Sequence, residues 1–437
     1  MATTASTAST DVTGNSPKVE NLHTSGPAFP AFAFILAAGI VLASLNLRTA
    51  VTSVGAVLGD VQAALGISST MAGIITTLPV LAFAGIGAIA PYLVRRFGYR
   101  TLISSTLFLM SLGLVARAMT DQVGWFLLFS AVALMAGAIG NVAIPGVVKK
   151  EFPQRIGVMT TAYSTALTVG AALGAALTVP AGDLLGNWRW GIAIWALPAM
   201  LAVIPWLMWR KESSLEVREE GSRRLTGLWR SKLAWSMMIF FGLQSGGAFA
   251  MFGWLAEILR DQGIHPATAG AMFGFFNLVG IPMFLLIPGL ATRFRHQRGI
   301  LCSLMVFFPV SLGGLWFAGG PGFLTWVWLA LLAIAMAVFS LILVLFALRT
   351  RTHEGTAALS AFAQSGGYLV AAVSPLALGA VYQATGSWGV PFLILLGFGV
   401  GQFVAGWYAT GDRYLEDELD EIAASTPPVI SQRVSAE

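Results

Sequence analysis

Apolar residues in this chain come in long blocks, and polar residues gather between the blocks instead of alternating with them. Twelve blocks can be drawn, at 31–58, 70–94, 101–119, 123–147, 156–180, 189–209, 233–258, 268–291, 300–318, 323–348, 357–382 and 389–409. A helix needs about 20 mostly apolar residues to cross a bilayer. Inside hydrocarbon it satisfies its own backbone, which an isolated strand cannot do. The pattern therefore predicts an all-α integral membrane protein with twelve transmembrane helices and the lipid bilayer as its solvent.

Composition agrees with the pattern. Of 437 residues, 56% are hydrophobic and 10% charged, against about 45–50% and 25% in soluble domains. So few charges cannot tile a water-exposed surface, which excludes a soluble enzyme, a disordered chain and a secreted disulfide scaffold. The single cysteine, Cys302, lies in an apolar run and reads as a buried, inert thiol. A pI near 9.6 would suit nucleic acid. The basic residues, however, sit in short clusters between apolar blocks, the arrangement of cytoplasmic loops, so no nucleic-acid partner is expected.

With the N-terminus inside, the inner loops hold 18 Lys and Arg, whereas the outer loops hold three: Arg117, Arg189 and Arg260. This asymmetry places both termini in the cytoplasm of a bacterial inner membrane. Residues 1–29, rich in Ser, Thr, Ala and Pro, lack a signal-peptide pattern and read as a disordered cytoplasmic tail. The connector 211–232 is the one interior stretch crowded with charge, and it divides a bundle at 30–210 from a bundle at 233–411. An acidic cytoplasmic tail, 412–437, follows. The halves resemble each other at a constant offset of 197 residues. Gly66-Ile67 align with Gly263-Ile264, Ala72-Gly73 with Ala269-Gly270, and Pro91, Leu93, Arg96 and Phe97 with Pro288, Leu290, Arg293 and Phe294. The fold expected is two pseudo-symmetric six-helix bundles around a central site.

Polar groups at membrane depth carry the functional reading. Arg48 falls near the middle of the first block, where an arginine costs about 2.5–3.5 kcal/mol and must face a cavity or a partner. No intramembrane carboxylate is available to neutralise it, so a substrate-facing role is read. Ser44, Arg48 and Thr52 make one polar stripe, assigned to the pathway; Asn46, Thr49 and Ser53 make a second on the other side of the helix, suited to helix–helix hydrogen bonding. The repeat sets Ser245, beside Gln244, opposite Arg48. Ser360, Gln364 and Tyr368 form a further stripe, and Tyr163, Asn141 and Asn277 are single polar residues in other spans. Each of these, Gln244 included, is either a ligand contact or helix glue. Phe240, Phe249, Phe252 and Trp254 read mainly as lipid-facing or packing groups, with one or two walling a pocket. Asp60 and Glu257, related by the same offset, are either solvated loop charges or a gating or coupling pair. There is no phosphate-binding loop, metal-ligand cluster or nucleophile–base pattern, so neither an enzyme nor a cofactor nor a metal is expected.

These residues bring a family into view. LNLRTAVTSVG (45–55), TTLPVLAFAGIGAIAPYLVRRFG (76–98), GNVAIPGVVKKEFP (140–153), YSTALTVGAALGAAL (163–177), FGLQS (241–245) and the AQSGGYL region near 369 resemble the major facilitator superfamily. Within it they resemble the cyanate and nitroimidazole transporter branch. The resemblance implies transport of a small anionic or planar polar solute; the two halves suit alternating access, and a chain that carries both is able to work as a monomer. The resemblance also keeps Asn46, through Asn46-Leu47-Arg48, among the candidate substrate-binding residues with Arg48, Gln244, Tyr163, Gln364, Tyr368, Asn141 and Asn277. Alternatives are efflux of small aromatic drugs and, from another class, a membrane sensor that binds without transport. The family's loop motif after the second span departs here: Pro91 and Arg95 stand in its Gly and Asp places, while Arg96 and Gly98 remain. The charge latch supplied elsewhere by the Asp cannot form with Arg95.

Overall fold

A computed structural model describes residues 31–209, 227–294 and 296–425. The expected N-terminal tail, nearly all of the charged connector and the last residues of the acidic tail lie outside the described residues. Among these, twelve helices are long and apolar enough to cross a membrane. Spans 1–6 are Ala33–Ala56, Ser69–Ile86, Tyr92–Ala118, Val123–Glu151, Gly157–Leu184 and Trp188–Met208. Spans 7–12 are Lys232–Asp261, Pro266–Arg293, Arg298–Ala318, Phe323–Leu348, Ala358–Thr385 and Gly389–Ala409. Each predicted block coincides with one of them. The face bearing the basic loops is termed the basic face and the opposite one the far face.

The segment read as a loop between spans 2 and 3 is helical instead. Helix runs from Ser69 to Ala118 and is interrupted at Gly98, with φ 73° and ψ 163°. Only this residue leaves helical geometry, and a positive φ of that kind suits glycine. Arg95 and Arg96 are exposed on the preceding turn, and Arg96 Nη1 donates to Tyr92 Oη at 3.0 Å. Arg100, just past the break, reaches the end of span 6 and donates to the carbonyls of Trp206 (3.3 Å) and Leu207 (2.8 Å). Arg349 does the same for span 12, donating to Ala409 O at 2.9 Å and Thr410 O at 3.0 Å and also to Gln297 Oε1. Each half thus closes the orphan carbonyls of its last span with an arginine. Burial of the Arg349 guanidinium, 2% exposed, lowers its pKa.

The halves meet at the far face, and hydrogen bonds join them there: Thr70 N to Gln383 Oε1 (3.0 Å), Thr77 Oγ1 to Ala372 O (3.4 Å), and Arg260 to both Asp60 oxygens (3.1 and 3.2 Å). Small residues let the backbones touch. A Cβ at Gly55 would sit 2.1 Å from Phe252 O, and one at Gly379 would sit 2.4 Å from Ser69 O. These inter-half contacts all lie toward the far face.

Two expectations need correction. Cys302 is exposed on the outer wall of its helix, not buried. An apolar side chain is as much at home against lipid as inside the protein, so an apolar run does not distinguish the two. Arg117 is no loop residue; it is 0% exposed within span 3. Of the groups read as lipid-facing or packing, Phe240 and Trp254 pack: both are 0% exposed inside the half formed by spans 7–12. Within the acidic tail, Leu415–Ser425 forms a helix whose first turn docks on the basic face. Glu416 accepts from Arg351 N, Thr352 N and Thr352 Oγ1 at 2.9–3.0 Å. Glu418 accepts from Ser231 Oγ, Lys232 N and Leu233 N at 2.7–3.1 Å. The two carboxylates thereby cap the starts of spans 11 and 7.

Candidate functional site

Span 1 carries Arg48 to mid-depth, and a cavity lies in front of it between the halves. The cavity is about 100 Å³, against about 10–15 Å³ needed to hold one water. It draws walls from spans 1, 2, 4 and 5 on one side and 7, 8, 10 and 11 on the other. Arg48 is its one charged wall residue. The Arg48 guanidinium lies 5.6 Å from the centroid of the Phe252 ring, near enough for cation–π attraction. It is also close enough to Tyr368 to interact electrostatically with it. No salt bridge joins Arg48 to a carboxylate among the described residues.

The remaining wall combines a few polar side chains with aromatic rings. Asn141, Thr168, Gln244, Ser245, Asn277 and Tyr368 supply hydrogen-bonding groups. Phe83, from span 2, stacks on Tyr368, from span 11, with centroids 5.7 Å apart and planes at 21°. Phe249 packs obliquely on Phe83 and edge-on to Phe252. The Phe83–Tyr368 stack therefore bridges the two halves at mid-depth. Such a site, with one fixed cation, several neutral donors and acceptors and flat apolar walls, can neutralise a single negative charge and sandwich a planar group.

The sequence candidates divide on inspection. Arg48, Gln244, Tyr368, Asn141 and Asn277 converge on the cavity. Gln244 is already engaged: its Nε2 donates to Met336 O at 2.9 Å, and its Oε1 accepts from Gln402 in span 12. Neighbouring Ser245, the repeat partner of Arg48, has a buried Oγ with no partner and is the better-placed free group. Asn46 does not reach the cavity; it is 1% exposed and its Nδ2 donates to Leu42 O of its own helix at 2.8 Å. Of the Arg48 stripe, Ser44 and Thr52 turn back on carbonyls of their own helix, Ile40 O and Arg48 O. Tyr163 packs with the apolar cluster of spans 1, 3 and 4, and Gln364 Nε2 donates to Ser360 Oγ at 2.6 Å. Neither of the two lines the cavity.

Sequence reasoning missed Thr168 and the aromatic walls at Phe83, Phe276, Phe284 and Phe339. A phenylalanine in an apolar block carries no signal that separates a cavity wall from packing. At the far face, Asp60 lies in the short helix Leu58–Leu65 and pairs with Arg260 across the halves. Glu257 sits beside them, its Oε2 3.8 Å from Arg260 Nη1. The two acids that the repeat aligns thus meet at one inter-half contact.

The family described as Major Facilitator Superfamily matches residues 36–375. An uncharacterized transporter of Bacillus subtilis is 36% identical over 87% of this chain and 95% of its own length. A 2-nitroimidazole transporter of Escherichia coli is 33% identical over 82% of this chain and 91% of its own. A cyanate transport protein of Escherichia coli is 26% identical over 80% and 90%. Among solved structures, a mutant form of the nucleoside transporter NupG aligns with a TM-score of 0.74 at 12% identity, covering 86% of this chain and all of that one, a likeness of fold.

Proposed function

The chain belongs to the Major Facilitator Superfamily and is a multi-pass membrane transporter, and we propose that it moves a small anionic or planar polar solute through the Arg48 cavity. One observation carries the reading: an arginine without a paired carboxylate among the described residues faces an aromatic-walled cavity at the junction of the two halves. The names of the relatives, which point to nitroimidazole and cyanate, favour the same class of solute. The basic face is cytoplasmic, with both termini on it, by the excess of Lys and Arg in its loops.

The mechanism follows from the two-sided site. With the far-face contacts made, a solute enters the cavity from the basic face. Arg48 draws it in and donates hydrogen bonds, while Ser245, Asn277 and Tyr368 contact it from the other half. Since both sets of contacts tighten only when the halves close over the solute, binding favours the occluded form. The Asp60–Arg260 contact, with Glu257, then acts as the outer gate that must part for release or loading at the far face. A single cation disfavours multiply charged solutes. The aromatic wall favours a second reading, efflux of small aromatic compounds, in which stacking supplies the affinity.

The test is thermal stability of the purified protein against cyanate, nitrate, small carboxylates, nitroimidazoles and cationic aromatic drugs, on wild type and Arg48→Ala. Stabilisation by a small anion or a nitroimidazole, lost in the variant, is expected. Stabilisation by cationic aromatics that survives the variant would replace this reading with the second.

A further inference from the structure

Arg117 is the least explained charge in the molecule. It rises from span 3 to span 1, where Nη1 donates to Ala50 O at 3.1 Å and Nη2 to Ser53 Oγ at 3.2 Å. Both acceptors are neutral, and the side chain is 0% exposed. Of the carboxylates near the far face, Asp60 pairs with Arg260 and Asp121 with Arg189. No salt bridge to Arg117 exists among the described residues. A buried charge left without a counter-charge is costly, and hydrogen bonds to neutral groups offset only part of that cost.

Beside it lies a second cavity, walled by spans 1, 2, 3, 4 and 7 and of about 20 Å³. That is room for one small ion, since one water needs about 10–15 Å³. Two donors in its wall, Arg117 Nε and Ser130 Oγ, have no protein partner, and Ser130 is 1% exposed. The rest of the wall is largely apolar, with Val54, Ile75 and Leu134. Water there would occupy the donors and leave the charge uncompensated. An anion would occupy the donors and also compensate the charge.

We propose that Arg117 and Ser130 form a binding site for one monovalent anion of halide size, separate from the Arg48 cavity. Gly55 of span 1 and Gly253 of span 7 complete its wall, and Gly253 packs on Thr76 of span 2 across the halves. Parting of the far face therefore opens the site, and occupancy stabilises the closed far face. The inference is independent of which solute the central cavity carries.

The test uses the full-length protein in detergent, in sodium gluconate at constant ionic strength, titrated with chloride or bromide and read by thermal unfolding. A saturable halide-specific rise is expected in wild type and in Arg48→Ala. It should vanish in Arg117→Gln and weaken about tenfold in affinity in Ser130→Ala, the loss of one hydrogen bond to a charged partner. Absence of a halide effect in wild type, which water in the cavity would produce, overturns the proposal. So does an effect that persists in Arg117→Gln or one abolished by Arg48→Ala. Should Arg117→Gln fail to fold, Ser130→Ala decides together with bromide anomalous scattering from wild-type crystals. Unchanged affinity in the variant, or no bromide peak between the two side chains, also overturns it.

Discussion

Replacing Gly55 by alanine should force the halves apart at the far face. The added Cβ would lie 2.1 Å from the Phe252 carbonyl oxygen, where ordinary contact begins at 3.4 Å, so span 7 must retreat by about 1.3 Å. The obstacle is backbone, which cannot rotate away as a side chain would. Overpacking of this kind costs about 1–3 kcal/mol, and the strain disappears when the far face opens. The ratio of closed to open forms should therefore fall about 5–150-fold. A cysteine at Thr77, 5% exposed and bonded across the halves to Ala372, reports the change in a Cys302→Ser background. A membrane-impermeant thiol reagent applied at the far face should label it faster in Gly55→Ala by that factor. Gly85→Ala, whose Cβ meets nothing within 4 Å, should leave the rate unchanged. Equal labelling in folded Gly55→Ala and wild type would refute the idea that this contact holds the far face shut.

Other outcomes follow from the basic face. Arg349→Gln removes charge-assisted bonds to two carbonyls of the span 12 terminus; at about 1.5–3 kcal/mol per bond to a charged group, the unfolding temperature should drop by several degrees. Arg351→Gln is a contrasting case. Its pair with Asp417 is about half exposed on both sides, where solvent screens the attraction, so calorimetry should show little change. The docking of Leu415–Ser425 should weaken in acid. Burial alone would raise the Glu416 pKa, but hydrogen bonds from Arg351 N, its own backbone and Thr352 outweigh that and hold it below 4.5. A depressed carboxyl contributes stability that is fully present above about 4.5 and is lost as pH falls through the lowered value. Hydrogen exchange in 415–425 should accordingly speed up below that range in wild type. Glu416→Gln, which carries no titrating carboxyl there, should lose most of that dependence.

Hydropathy alone located all twelve spans, because each must bury about 20 residues in hydrocarbon whatever its neighbours are. It also flagged Arg48, since a charge at the middle of an apolar block must have a cavity or a partner to face. Arg117 escaped for a related reason. It stands at the far end of its block, where the same sequence fits either a loop residue or a side chain turned inward, and only the approach of Ala50 and Ser53 decides between them. The repeat sets Gln244 at the depth of Arg48, and both line the cavity. Its amide is taken up by Met336 and by Gln402, a residue 158 positions away, and no local pattern reveals such a pairing. The Asn46 side chain turned back to its own helix, as a mid-helix polar group often does. Asp60 and Glu257 were recognised as a pair only through the offset of 197; their meeting with Arg260 is a tertiary fact.

Solute flux through the Arg48 cavity can be read directly in proteoliposomes. Wild-type protein reconstituted with an imposed gradient of radiolabelled cyanate or 2-nitroimidazole should move at least one of them. Arg48→Ala should abolish that flux. Arg48→Lys should also fail, because an ammonium lacks the planar fork of donors. Undiminished transport in Arg48→Ala, with the protein folded and inserted, would contradict the account.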